Sequence, residues 1–185
     1  MSLKVQKWVG NILIVLSLLG LNFIYYPYLK ELLFPPQITQ EVKLKTNFSV
    51  EIPSQKVFSK IIENVDPYNQ KEYIEKLKLG VAHAKGTSLP GEKGTIYLFA
   101  HSSDVPWRIT RYNTAFFKLD FVKNGDKIIV RKDGKEFNYK IYDKKTVWPS
   151  EVKYLKESQG DILILQTCTP VGTALQRLLV FAKPV

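Results

Sequence analysis

The chain is poor in the side chains that build disulfides, metal centres and redox sites. Its 185 residues include one cysteine and two histidines. A single cysteine excludes a disulfide framework within the chain, so Cys168 is a small buried hydrophobe, a link to another chain or a nucleophile. Three aspartates, Asp104, Asp120 and Asp126, are scattered and lack the spacing of an EF-hand loop. The sequence therefore predicts no metal site and no cofactor.

The chain also lacks arginine-rich runs and any motif of a nucleic-acid-binding fold. It carries 27 Lys and Arg against 17 Asp and Glu, a net charge of +10, and a basic surface suits an anionic partner. Without a binding signature we predict no nucleic acid among its partners, which leaves anionic lipid and anionic cell-wall polymers. The hydrophobic content of 45% excludes wholesale disorder.

Near the N-terminus, residues 8–29 contain no charged side chain. As an α-helix they would span roughly 33 Å, enough to cross the hydrocarbon core of a bilayer. Lys4 and Lys7 precede this stretch and predict a cytoplasmic N-terminus. A cleaved signal peptide would have a shorter apolar region and small residues at its end, whereas this stretch ends in NFIYYPYLK. We therefore expect residues 1–29 to be a cytoplasmic tip and a retained single-pass membrane anchor, with the following domain on the extracellular face.

The remainder divides into a linker and one domain. Residues 30–48 contain Pro35-Pro36 and charges of both signs, which is typical of a juxtamembrane spacer. Residues 49–185 are rich in short apolar or alternating runs, which predict strands. Asp133-Gly134 predicts a hairpin between two of these strands. Many short strands with little helix favour a closed barrel or a sandwich.

Two helices are predicted within this domain. The first is in DPYNQKEYIEKLKLG, where Asp66 is the expected N-cap, Pro67 the first helical residue and Gly80 the stop. The second is short and follows Pro149-Ser150.

The position of Cys168 favours a chemical role. Cysteine is among the most often buried residue types, but Cys168 lies where the apolar run ILIL gives way to QTCTP. Strand ends beside loops are where rigid scaffolds position reactive groups. His101 lies at a similar place, where IYLFA gives way to HSSD. If the strands on either side of TPVGTALQ are antiparallel neighbours, Arg177 lies beside Cys168 at one end of the sheet.

These three side chains are sufficient for acyl transfer. A thiolate attacks a carbonyl and forms a thioester. A histidine protonates the leaving amine and later deprotonates the incoming one. An arginine stabilises the oxyanion or holds the substrate backbone. Papain-like proteases have Cys before His in the chain, so the order His101, Cys168, Arg177 argues against that class.

Two stretches resemble the sortases, a family of membrane-anchored cysteine transpeptidases of bacteria. The first is LKLGVAHAKGTSLPGEKGTIYLFAHSSD, which is similar to the family's segment running to the catalytic histidine. The second is DILILQTCTPVGTALQRLLVFAKPV, which is similar to the family's TLxTC strand followed by Pro, Gly and then Arg. The resemblance covers about residues 55–185 in order and spacing.

The resemblance implies a mainly β fold, a closed eight-stranded sortase-like β-barrel with short helices, preceded by one N-terminal transmembrane helix. It places His101, Cys168 and Arg177 on the catalytic triad. It implies a sorting-signal peptide of the LPxTG kind as the substrate and an amine of a cell-wall precursor or of a pilin lysine as the acceptor. Ala100 and Ser102 depart from the Gly and Arg that flank the histidine in many sortases, which leaves the subclass open.

Several residues near the triad are candidates for contacting the substrate. Thr167 offers a hydroxyl or a backbone N–H to the oxyanion, and Thr169 and Pro170 begin a loop that suits a pocket wall. The remaining candidates are Ala100, which precedes the histidine, and the tryptophans Trp148 and Trp107, which lie in loops and suit an apolar groove. His83 is either a second base or, more in keeping with its neighbours, a packed histidine.

Two other functions remain open on the sequence alone. One is a hydrolase with the same three residues and with water as the acceptor. The other is a non-catalytic, membrane-anchored β-domain that binds the cell wall through its basic surface.

Overall fold

The computed structural model describes residues 3–34, 46–103, 115–156 and 159–185. The linker positions 35–45, Asp104 and Trp107 lie outside these ranges. Two units are present, an N-terminal helical unit and a β domain.

The N-terminal unit is a single long helix, α1 (Leu3–Leu33), which extends the predicted helix of residues 8–29 at both ends. Within it, Lys4–Tyr26 is the one stretch of the described chain long and apolar enough to cross a membrane, with a mean hydropathy of 1.8. None of this stretch is buried by other parts of the protein. An unpacked apolar helix of this length is what a lipid-facing segment requires.

The β domain contains eight strands and short helical elements. The strands are β1 (Phe48–Ile52), β2 (Val57–Val65), β3 (Val81–Ala84), β4 (Thr95–Phe99), β5 (Lys127–Lys132), β6 (Lys135–Val147), β7 (Ile162–Thr169) and β8 (Gln176–Pro184). The helices are α2 (Gln70–Leu77) and α3 (Lys153–Lys156), and 3₁₀ turns cover Pro53–Gln55 and Leu119–Phe121.

The strands close into one barrel in the order β1-β2-β3-β4-β7-β8-β6-β5, with β5 pairing back to β1. The expected closed eight-stranded barrel is thus confirmed. The pairs β2–β3 and β4–β7 are parallel and the others are antiparallel. Parallel neighbours need a crossover rather than a tight turn, and the segment containing α2 supplies it between β2 and β3. A second crossover, containing α3, leads from β6 to β7.

The predicted hairpin is present between β5 and β6. Asp133 and Gly134 have φ angles of 50° and 76°, the left-handed conformation that a two-residue turn of this type requires at both positions. The short helix predicted after Pro149-Ser150 is also present, as α3.

The predicted ends of α2 are wrong. Asn69 is the N-cap, because its side chain accepts a hydrogen bond from the Glu72 N–H at 3.2 Å. Asp66 instead accepts from the Tyr68 N–H at 2.9 Å, in the turn before the helix. Gly80 follows the helix end, and a Cβ at this position would lie 2.5 Å from the Lys60 carbonyl oxygen. Its glycine is therefore explained by close approach to β2 and not by a helix stop.

Two apolar clusters cover the two faces of the barrel wall. The inner cluster contains residues from all eight strands and fills the interior. The outer cluster covers β2, β3, β4, β7, β8 and the end of β6 beneath α2 and α3. Along β7, Leu163 and Leu165 point inward and Ile164 points outward, as alternation along a strand requires.

The inner cluster predicts a large effect of truncation at Leu165, which is fully buried. Leu165→Ala should lower the free energy of unfolding by about 2–5 kcal/mol, because it removes buried methyl groups and leaves a cavity. Leu175→Ala, at a leucine that is 63% exposed, is the matched control and should change it by about 0.5 kcal/mol or less. Denaturant unfolding of the full chain in detergent measures both, and equal effects would contradict this core assignment.

Candidate active site

Three strand ends meet at one end of the barrel. Cys168, next to last in β7, pairs directly with Arg177, the second residue of β8. On the other side of β7, β4 pairs in parallel up to Phe99 and Gln166. The Ala100 N–H continues this pairing by donating to the Gln166 carbonyl at 3.1 Å. His101 is therefore at the level of Cys168, and the thiol-bearing strand lies between the other two.

The three side chains project from the outer face of the barrel. Alternate residues of a strand share a face. The outer cluster contains Phe99, Ile164 and Leu179. Cys168 and Arg177 each lie an even number of residues from the member on the same strand, and His101 lies two residues after Phe99, just beyond the end of β4. The arrangement expected of Cys168 and Arg177 is therefore present, with His101 on the same face.

Arg177 has donors available for a substrate. Its Nη1 donates to the carbonyl oxygens of Ala174 and Gln176, each at 3.1 Å. Its Nε and Nη2 have no hydrogen-bond partner among the residues that the structure describes. Cys168 is a free, half-buried thiol. A fixed guanidinium with open donors beside a free thiol can bind the oxygen of a carbonyl under attack.

Two contacts hold the loop that carries His101. The His101 carbonyl accepts from the Phe116 N–H at 3.3 Å. Ser103 Oγ accepts from the Gly172 N–H at 2.9 Å, which joins this loop to the one between Cys168 and Arg177. The contact of Ser103 was not predictable from the sequence, because a contact between two distant loops leaves no local pattern.

The side chains of Thr167 and Ala100 lie on the opposite side of the wall from the thiol. Thr167 is 1% exposed, and its hydroxyl donates to the Ala100 carbonyl at 3.0 Å. Ala100 itself belongs to the inner cluster. This buried hydrogen bond fixes the end of β4 against β7 just before His101. Only backbone groups of these two residues remain for contact with a substrate.

The other predicted contact residues lie at the same end of the barrel. Thr169 is half-buried, and its hydroxyl donates to Asp120 Oδ2 at 3.4 Å, while Pro170 is exposed. Trp148 is 60% exposed and follows Val147, the partner of Arg177 across β6 and β8. Exposed apolar side chains beside a free thiol suit an apolar peptide.

His83 lies away from these residues. It is 3% exposed, and its Nδ1 accepts from the Asn64 N–H at 3.4 Å. Its Nε2 lies 3.0 Å from the Ser88 carbonyl oxygen, so Nε2 is the protonated nitrogen and donates. This placement favours a packed, neutral histidine over a second base. Within the described ranges, no three His, Cys, Asp or Glu side chains are grouped as metal ligands.

The fold and the site together define a class. A closed β-barrel that presents a free cysteine between an arginine and a histidine has the groups of a thiol-dependent acyl-transfer enzyme. The family model of the sortase domain matches residues 50–185, and the chain belongs to the sortase family. Members of this family are cysteine transpeptidases, and so is this protein.

Solved structures of sortases are similar over most of the chain. Sortase C-1 from Actinomyces oris is 30% identical, with 75% of this chain and 72% of that chain covered and a TM-score of 0.62. A lid mutant of sortase A from Corynebacterium diphtheriae is 27% identical, with coverages of 86% and 79% and a TM-score of 0.60. Sortase C from Clostridium perfringens, solved with the C-terminal cell wall sorting motif, is 28% identical, with coverages of 80% and 77% and a TM-score of 0.59. None of the curated protein sequences matches the chain.

The burial of His83 predicts a loss of stability in acid. Burial lowers the pKa of His83 below its ordinary value of 6.5, against the opposing effects of the Ser88 carbonyl, Glu63 and Glu92 and with a smaller contribution from Lys132 in the same direction. The folded chain therefore binds this proton more weakly than the unfolded chain. The contribution of the neutral His83 to the free energy of unfolding is therefore complete above the ordinary pKa of 6.5, and it is lost as the pH falls below that value.

The free energy of unfolding should therefore decrease between about pH 7 and pH 5. His83→Gln keeps a donor for the Ser88 carbonyl but does not titrate, so its decrease over this range should be smaller. Denaturant unfolding at several pH values measures the two slopes. Equal slopes would exclude a buried neutral His83 as a cause.

Proposed function

We propose that this transpeptidase cleaves a sorting-signal peptide of the LPxTG kind after its threonine and transfers the acyl part to an amine. The observation that carries the proposal is the direct pairing of Cys168 with Arg177, with His101 at the same level on the other neighbouring strand. The similarity to the Clostridium perfringens sortase C, which was solved with the C-terminal cell wall sorting motif, supports the same class of peptide for this chain.

The first half of the proposed reaction forms a thioester. The Cys168 thiolate attacks the carbonyl carbon of the threonine, and the carbonyl oxygen gains negative charge. The open donors of Arg177 stabilise this oxygen or hold the peptide backbone. The C–N bond then breaks, and His101 protonates the departing amine.

The second half releases the acyl group to an amine. A primary amine from a cell-wall precursor or a pilin lysine attacks the thioester carbon. His101 takes the proton of the amine as the C–N bond forms. Breakage of the C–S bond returns the electron pair to Cys168. The product is a new amide, and the enzyme ends in its starting state.

We also propose the location and the division of the chain. Residues 1–29 form a cytoplasmic tip and a retained anchor, 30–48 a linker and 49–185 the catalytic domain. Support comes from the unpacked apolar stretch Lys4–Tyr26 and from the lysines at positions 4 and 7, at its N-terminal end. This arrangement places the thiol on the extracellular face, where secreted proteins and wall precursors are accessible.

Cleavage should depend on the thiol and transfer should depend on an amine. Full chain in detergent is incubated with a Leu-Pro-x-Thr-Gly peptide, with and without triglycine, and products are identified by mass. Cys168→Ala should lower cleavage by about 10⁴-fold or more, because no other group can form the acyl-enzyme. Triglycine should become joined to the threonine.

The control outcomes separate the alternatives. Cleavage without joining, even at high triglycine concentration, would identify a hydrolase that uses water. Absence of cleavage together with salt-sensitive binding to cell walls would favour a non-catalytic wall-binding domain. Undiminished cleavage by Cys168→Ala would contradict the proposed chemistry.

A further inference from the structure

On the outward face of β7, one polar residue, Gln166, lies between the apolar run and Cys168. It lies two residues before the thiol on the same outward face of β7, a separation of about 7 Å along a strand. Both side chains are half-buried, whereas Ile164, two residues further down this face, is fully buried. Gln166 is therefore the next partly accessible side chain after Cys168 on this face of the thiol-bearing strand.

The helices α2 and α3 cover the two strands that lie on either side of this part of β7. Tyr73 of α2 packs edge-on against Phe99 of β4, with ring centroids 6.2 Å apart. Tyr154 of α3 packs against Phe181 of β8, with centroids 5.5 Å apart. One crossover thus covers the strand on one side of β7, and the other covers the strand on the opposite side. A peptide that reaches Cys168 along the outer face lies over Gln166.

The Gln166 amide has a fixed orientation. The Tyr97 hydroxyl donates to Gln166 Oε1 at 2.6 Å, and Tyr97 is 3% exposed. Burial raises the pKa of Tyr97 far above its ordinary value, more than the positive charge of Arg177 lowers it, so the phenol keeps its proton and remains a donor. With Oε1 held by the buried phenol, Nε2 points away from it.

Gln166 Nε2 has no hydrogen-bond partner among the described residues. Its strand neighbours, Phe99 on β4 and Leu179 on β8, are apolar and offer it no side-chain acceptor. A preoriented amide N–H between apolar neighbours, beside a reactive thiol, is suited to donate a hydrogen bond to one carbonyl oxygen of a bound ligand.

We propose that Gln166 is a substrate-binding residue whose Nε2–H donates to a main-chain carbonyl of the peptide, two residues before the carbonyl that Cys168 attacks. Tyr97 is the positioning residue that holds the amide for this contact. In a Leu-Pro-x-Thr segment the acceptor is the proline carbonyl. This inference rests on the proposed function, because it needs an extended peptide that is attacked at its threonine carbonyl.

The test compares kcat and KM of full-chain variants in detergent with a Leu-Pro-x-Thr-Gly peptide. Gln166→Leu should lower kcat/KM about 10-fold, mainly by raising KM, because it removes one hydrogen bond to the bound peptide. Gln166→Glu still accepts from Tyr97 but has no N–H, so kcat/KM should fall at least as far. Gln70→Leu makes the same substitution at an exposed position that begins α2 and should leave both constants unchanged.

Tyr97→Phe tests the positioning step. It frees the amide to rotate, so kcat/KM should fall about 3-fold by a rise in KM. In a Gln166→Leu background the same change should have little further effect, because Tyr97 acts through Gln166. A purely structural role of Tyr97 would instead give independent effects in the two backgrounds.

The outcomes distinguish this inference from the function on which it rests. If the wild-type protein forms no product from any peptide of this kind, both fall. If it is active and Gln166→Leu and Gln166→Glu keep the wild-type KM, the Gln166 inference alone is overturned. An active Gln166→Glu beside an impaired Gln166→Leu would also overturn it, since the carboxylate keeps only the acceptor.

Discussion

The antiparallel pairing of β7 with β8 is the constraint on which the site depends. It places Cys168 directly opposite Arg177, so the backbone ladder sets the thiol beside a permanent cation. The parallel pairing of β4 on the other edge of β7 adds His101 at the same level. Because these two backbone ladders define the geometry, Cys168 and Arg177 are held by the rigid wall of the barrel, and His101 lies just beyond the end of the neighbouring strand.

Side-chain hydrogen bonds connect the ends of β4 and β7 on both faces of the barrel wall. On the inner face, the hydroxyl of Thr167, one residue before Cys168 in the chain, donates to the Ala100 carbonyl. On the outer face, the Tyr97 hydroxyl donates to Oε1 of Gln166, two residues before Cys168 in the chain. Each hydrogen bond joins β4 to β7, the two strands that must stay in register if His101 is to face Cys168. These polar side chains thus hold β4 and β7 in register and orient their neighbours, whereas an apolar residue would contribute packing alone.

Local sequence patterns were sufficient for the barrel-forming strands of the site, and they single out His101, Cys168 and Arg177, which lie at neighbouring strand ends in the structure. The strand end after ILIL, where Cys168 lies, and the hairpin at Asp133-Gly134 were both predictable, because each depends on neighbouring residues in the chain. The N-cap predicted at Asp66 lies at Asn69, because both residue types are good caps and Asp66 instead accepts a hydrogen bond in the turn before the helix. The direction of Thr167 and the partner of Gln166 were not predictable, since both depend on which residues of β4 lie beside β7.

The central claim is that Cys168 carries the acyl group between cleavage and transfer. Intact-mass and peptide-mapping mass spectrometry of the full chain, quenched in acid after mixing with a Leu-Pro-x-Thr-Gly peptide, tests it most directly. The account predicts an added mass equal to the Leu-Pro-x-Thr acyl group, located on Cys168 and removed by an amine. Product formation without such an adduct, or an adduct on any other residue, would contradict it.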